Sequence, residues 1–259
     1  MHFLKRIHFR PHLSRSLKST RQDLDFSKGK NEVRIVGTVE EVFPTKYDDS
    51  MIFNVKTFDD TGFFNRHKVI VPSFTMNKFP KIVEGQNVFV MGKVRSSKFM
   101  KMNGTQGTQL ETKARKVYVC KNDEISINTL QSDTEMDELA SDSLDVPMNN
   151  LNNVEINAQI SFEIQNKEKF SVFILATQYL KENSEDIRET HVDFISTFVY
   201  DNDLRQYVRN HLKKLDFVRV EGILKNRPKL TNEGKYQQEG YISANKINKI
   251  VSVHKLKIN

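Results

Sequence analysis

This sequence predicts an all-β fold with short helices, arranged as two small five-stranded barrels in tandem. Three observations carry that prediction. Short runs of Val and Ile alternate with polar residues along most of the chain. The runs fall into two sets of the same order. Gly92 and Gly222, Gly104 and Gly234, and Ala114 and Ala244 are all separated by one interval. Alternation marks half-buried strands, and a fixed interval between small residues marks duplication. The 259 residues suffice for two domains of roughly 100 residues with a linker, each burying its own core.

In the first set, Val33, Ile35 and Val39 define strand one, Phe53 and Val55 strand two, and Val69 and Val71 strand three. A short helix is expected around Phe74–Ile82, limited by Pro80. Val88, Val90 and Val94 then give strand four. Leu110, Thr112 and Ala114, followed by Val117 and Val119, give one or two further strands. In the second set, Val154, Ile156, Ala158 and Ile160 match strand one, Phe170, Val172 and Ile174 strand two, and Phe194, Ser196 and Phe198 strand three. Leu204, Tyr207, Val208, His211, Leu212 and Leu215 at helical spacing predict a helix over Asp203–Leu215. Val218, Val220 and Leu224 form strand four, and Tyr241–Ala244 strand five. Strand–strand–strand–helix–strand–strand is the element order of an OB-fold barrel. The expected domains are residues 31–120 and 151–251.

Residues 121–150 lie between them. They carry eight acids against Lys121 and no Gly, the composition of a solvated acidic linker, with a helical turn allowed near Thr134–Ala140. An inert spacer fits this stretch better than a competitor for a basic groove. Residues 1–22 hold six Lys and Arg, no acid, and Ser14, Ser16 and Ser19. With Phe3, Leu4, Ile7 and Phe9 on one helical face, they suit a mitochondrial presequence better than a basic arm touching nucleic acid. The expected location is therefore the mitochondrial matrix and its nucleoid. The net charge of +7 leaves a moderate positive surplus on the two barrels once both segments are set aside.

Composition also excludes. Cys120 is the one cysteine, so neither a disulfide framework nor a multi-cysteine zinc site is available. No run approaches the ~18 apolar residues of a membrane span. There is no Gly-rich phosphate loop, no Cys–His zinc spacing and no nucleophile motif, so neither an enzyme nor a metal or other cofactor is expected.

Binding single strands needs cations along the phosphate path and aromatic faces for bases. The stretch Gly92–Gly104 offers both, with Arg95, Lys98 and Lys101 interleaved with Phe99 on a protruding hairpin. A lysine-protected edge strand is the competing reading. The matching stretch Gly222–Gly234 supplies Lys225, Arg227 and Lys229, followed by Lys235 and the stacking candidate Tyr236. Arg66 and Lys68 open strand three of the first set, and Tyr179 and Lys181 close strand two of the second. Phe198 is included as a base platform, although a strand Phe is more often core.

On these residues the sequence resembles the bacterial and mitochondrial single-stranded DNA-binding protein family. Gly92, Arg95, Lys98, Phe99 and Gly104 follow the family's strand-four signature, with Glu111 in strand five. Gly222, Lys225, Arg227 and Gly234 repeat it, with Lys229 where the aromatic would stand. Arg66, Lys181 and Val192 occupy positions where the family carries Trp, and this chain has none. The resemblance implies a non-catalytic binder of single-stranded DNA serving mitochondrial DNA replication or maintenance. It also implies a homodimer presenting four OB-folds, with strand one as a contact and weight shifted towards electrostatics. Two other readings stay open: a mitochondrial RNA binder, since an OB groove accepts either strand, and a degenerate OB scaffold for protein partners.

Overall fold

The computed structural model describes residues 29–43, 50–59, 62–72, 79–100, 106–121, 124–125, 151–182, 188–230 and 236–250. The first set of strands is β1 (Lys30–Phe43), β2 (Met51–Phe58), β3 (Phe64–Val71), β4 (Asn87–Met100) and β5 (Gln106–Lys121), with a short β6 (Glu124–Ile125) pairing to β5. β1 pairs with β2 and β4, β2 with β3, β3 in parallel with β5, and β5 with β4, which closes a barrel in the order 1-2-3-5-4. The second set is β7 (Asn152–Ile160), β8 (Gln165–Asn166), β9 (Ser171–Glu182), β10 (Arg188–Val199), the helix α1 (Asn202–His211), β11 (Phe217–Leu230) and β12 (Tyr236–Lys249). β7, β9, β10, β12 and β11 close a second barrel by the same pairings, including the parallel β10–β12 contact. This is the OB-fold order.

Each interior is filled by the inward half of the alternation. Val33, Ile35, Phe53, Val55, Val69, Val88, Val90 and Val94 fill the first barrel. Val154, Ile156, Ile160, Phe173, Leu175, Ile195, Val218 and Val220 fill the second. Each such side chain contributes about 1.5–3 kcal/mol when taken out of water. Gly92 and Gly222 stand where β4 and β11 lose register with their partners, opposite Ala114 and Ala244. A Cβ at either would lie 2.4 Å from the Lys113 carbonyl oxygen or 2.3 Å from that of Ser243. The matched glycines are thus the cost-free answer to one bulge built twice.

Several elements depart from expectation. β5 is one continuous strand bent at its bulge. The helix expected at Phe74–Ile82 lies mostly outside the described residues, and 79–83 are not helical; Ile82 is buried in the core. α1 ends before Leu215. Asp201 caps its start by accepting the Leu204 N–H at 2.8 Å, and Leu212 has already left helical dihedrals. In β9 and β10 the inward set is the reverse of the predicted one. Phe173, Leu175, Ile195, Thr197 and Val199 face the core, while Phe170, Phe194 and Phe198 gather with other rings outside it. The reason is that these two strands are apolar on both faces, so alternation alone did not set their phase.

The barrels join through β1 and β7, which pair antiparallel from Lys30↔Asn157 to Ile35↔Asn152. Val33 faces Val154, its own counterpart, so a pseudo-twofold axis passes between them. Asn31 grips the backbone of Val94 through both amide atoms (2.7 and 2.9 Å), and Asn152 grips Leu224 in the same way (2.8 and 3.0 Å).

Candidate nucleic-acid interface

The turn between β2 and β3 is closed by the Gly62 N–H donating to the Asp59 carbonyl (2.9 Å) and the Phe63 N–H to the Asp59 carboxylate (3.1 Å). Gly62 adopts φ 81°, a left-handed value natural to glycine. This geometry turns Phe63 and Phe64 outward, 75% and 56% exposed, beside Phe58 at 43%. Phe58 and Phe64 face each other across the ladder, and the Lys56 ammonium stands over both rings at 5.2 and 4.9 Å. Three exposed rings and a cation on one strand end form a surface that a flat, electron-poor or anionic ligand can cover.

Next to it on β3, Arg66 forms a bidentate pair with Glu40, and Lys68 approaches Glu111 at 3.5 Å. The hydrogen bond from Arg66 holds Glu40 below the usual carboxylate range. Arg66 and Lys68, with Phe63 and Phe64, line a groove of about 1050 Å³ that Lys225 and Asn226 of the second barrel also line. On the outer face of β4 and β5, Lys93 lies opposite Lys113. Burial first, then Arg115, Arg95 and Lys113, lower the Lys93 pKa. The first barrel thus carries cations over β2, β3, β5 and β4 in turn.

Two predicted phosphate contacts take part in the joint between barrels. The Arg95 guanidinium donates to Asp193 of β10 at 2.6 Å, with their side chains only 16% and 4% exposed. Lys225, which holds the place of Arg95 in the second barrel, reaches Asp59 at 3.2 Å. The backbone joins in: Ser96 N–H is bonded to Asp193, and Asn226 N–H to Asn65 at 3.5 Å. The base of each barrel's long hairpin is therefore seated on the other barrel.

Phe198 is buried, its ring edge-on to Tyr241 at 5.0 Å and stacked on Tyr200 at 6.1 Å. Lys98 and Phe99 lie at the end of β4, opposite Thr108 and Gly107. Tyr179 and Lys181 lie in β9 opposite His191 and Glu189. Arg227 and Lys229 lie in β11 opposite Glu239 and Gln237, and Tyr236 opens β12. Lys101 and Lys235 lie outside the described residues. Sequence reasoning missed Lys56, Phe58, Phe63 and Phe64. The signal was the run Phe58-Asp-Asp-Thr-Gly-Phe-Phe64, three rings flanking a turn that no strand pattern needs for its core.

The fold matches that of solved single-stranded DNA-binding proteins. The wild-type single-stranded DNA-binding protein of Thermus aquaticus superposes with a TM-score of 0.54 at 15% identity, over 87% of this chain and 95% of that one. A deletion mutant of that protein gives 0.53 at 14% identity, over 88% and 97%. The Plasmodium falciparum protein solved with single-stranded DNA is 25% identical, with a TM-score of 0.35, over 39% of this chain and 93% of that one. No protein-family model matches the sequence, and no curated protein sequence does.

Proposed function

We propose that this chain binds single-stranded DNA and catalyses no reaction on it. The observation that carries the reading is the exposed cluster of Phe58, Phe63 and Phe64 with Lys56, beside Arg66 and Lys68, on the strand-two and strand-three face of an OB barrel. OB-folds use that face for oligonucleotides. Stacking on such rings contributes about 1–3 kcal/mol per base, and each phosphate neutralised adds salt-dependent affinity. From the sequence, Lys98, Phe99 and Lys101, Arg227, Lys229, Lys235 and Tyr236, and Tyr179 and Lys181 are the further cation and ring candidates for such a strand.

The acid-free basic residues 1–22 support import into the mitochondrial matrix and a role in maintaining its DNA. Two copies of the whole chain would present four barrels. N-terminal sequencing of the protein recovered from purified mitochondria checks the address; an intact Met1 there removes it.

The main test is fluorescence anisotropy with oligo-dT, duplex DNA and RNA of equal length at two salt concentrations. Oligo-dT should bind tighter than duplex, with affinity falling steeply as salt rises, by about 0.7 log units per log of salt for each phosphate contacted. Phe63→Ala with Phe64→Ala should weaken it at least tenfold. Binding that ignores salt sinks the reading in favour of a protein scaffold, and a preference for RNA replaces the substrate.

A further inference from the structure

The groove beside Phe63 and Phe64 holds its polar groups in two different states. Its cations are matched to acids: Arg66 donates twice to Glu40, Lys68 stands 3.5 Å from Glu111, and Lys225 stands 3.2 Å from Asp59. Two of its amides are also engaged. Asn65 accepts the Asn226 N–H, and the Asn226 amide donates to the Arg66 carbonyl. Asn54 and Gln109 differ. Both line the groove, both are partly buried, and neither side-chain amide has a hydrogen-bond partner among the described residues.

Strand register places these two amides on one face. Asn54 of β2 pairs with Lys68 of β3, and Val69 pairs with Thr112 of β5. Lys68 therefore stands beside Glu111, and Gln109 lies two residues back on the same face of β5. One strand separates the backbones of β2 and β5, a gap of roughly 10 Å. A purine with a hydrogen-bonded amide on each side fills a gap of that order.

The second barrel lacks the pair. Val69 pairs with Thr112 and Thr197 with Ile242, each partner two residues before the matched Ala114 or Ala244, so Val69 and Thr197 are equivalent. Lys68 pairs with Asn54 and Ser196 with Ile174, so Asn54 corresponds to Ile174, and Gln109 likewise to Glu239. An Ile side chain has no hydrogen-bonding group, and an ionised Glu only accepts.

We infer that Asn54 and Gln109 read the two edges of one adenine, giving the chain a base preference at a single place on an otherwise sequence-tolerant path. This rests on the proposed function. An amide offers a donor and an acceptor side by side. Adenine presents the complement twice, N1 with the N6 amino group on one edge and N7 with the same amino group on the other. Each amide then takes one N6 hydrogen and gives one N–H to a ring nitrogen. The other bases present such an edge once. Guanine's remaining edge holds two acceptors and suits Arg or Lys, which here already face carboxylates. Stacking on Phe63 or Phe64 accepts every base, so discrimination falls to the amides.

The whole chain tests it by competition against labelled oligo-dT in fluorescence anisotropy. The competitors, of equal length, are oligo-dT, oligo-dT with one central adenine, and that strand with 7-deazaadenine, which keeps the stacking face and lacks the N7 acceptor. The adenine strand should compete about five- to hundredfold better than oligo-dT, the range of a bidentate base contact. The 7-deazaadenine strand should give up about threefold or more of that gain. Asn54→Ile with Gln109→Met keeps the bulk and removes both amides. This double variant should bind oligo-dT as the unaltered chain does and show no preference for adenine. The inference is overturned if the unaltered chain treats adenine and thymine alike, if 7-deazaadenine equals adenine, or if the double variant keeps the preference. Should the double variant fold poorly, the 7-deazaadenine comparison on the unaltered chain decides alone. Failure of the unaltered chain to bind any of the three strands would instead strike the proposed function itself.

Discussion

Arg95 is the residue whose replacement best separates a strut from a ligand contact. Arg95→Met removes the guanidinium from Asp193 and keeps most of the packing volume. Asp193 is 4% exposed, and burial holds its pKa above the usual carboxylate range even with Arg95 beside it. Leaving a buried charge without its partner costs about 3–5 kcal/mol. For a folded unit of this size, about 3 kcal/mol lowers Tm by roughly 6–12 °C. The sign of the pH dependence follows. With Arg95 gone, the folded-state pKa of Asp193 rises further above its unfolded value. The variant is then most stable at low pH, and loses stability as pH rises through the folded pKa. Asp193→Asn in the same background should abolish that dependence and recover all but about 1 kcal/mol, because Asn65 already performs the neutral version of this role by accepting the Asn226 N–H. The assay is thermal unfolding by circular dichroism at pH 5 and pH 7.5. An unchanged Tm in Arg95→Met, or a double variant no better than the single, would refute the strut. Oligonucleotide binding well below Tm then reports any further part that Arg95 plays.

Two other outcomes follow from the cores. His67 is buried with its Nε2 2.9 Å from the Thr57 hydroxyl and Nδ1 without a hydrogen-bond partner, and burial pushes its pKa down to about 4. The unfolded chain takes up this proton near pH 6.5 and the folded chain does not, so stability is intact above pH 6.5 and falls by about 3 kcal/mol as pH drops to 4. His67→Gln should flatten that part of the denaturation curve measured by urea titration; an equal slope in wild type and variant contradicts the assignment. At the seam between barrels, a Cβ on Gly240 would lie 2.7 Å from the Leu110 Cβ. Gly240→Ala should cost about 1–3 kcal/mol, and the double variant with Leu110→Gly, which removes the opposing Cβ, should cost less than the two changes summed. Simple additivity in calorimetry would show that the two side chains do not meet.

Strand positions were readable because Val33, Ile35, Val88, Val90, Val154 and Val220 obey a period of two with polar neighbours. The paired glycines were readable because one backbone geometry occurs twice. The phase of β9 and β10 was not, since Phe170, Val172, Phe194 and Phe198 make the outer face as apolar as the inner one. The roles of Arg95 and Lys225 were hidden for a different reason. A cation on a hairpin looks the same in sequence whether it meets a phosphate or an aspartate far along the chain, and only the packing of two barrels brings Asp193 and Asp59 into reach. The rings around Gly62 were not legible either, because Asp and Gly mark the backbone geometry of a turn and carry no information about which flanking side chains it displays.

The β1–β7 seam has one more consequence. When two identical subunits meet about a twofold axis, every substitution appears on both sides at once, and the halves can separate on dilution. Here the axis lies inside a single polypeptide, so the partner is held at a concentration fixed by the intervening segment. Each half can change alone. Arg95 meets the carboxylate of Asp193, whereas its counterpart Lys225 meets Asp59, with the neutral Asn65 alongside. That asymmetry is open to a fused pair and closed to a symmetric one.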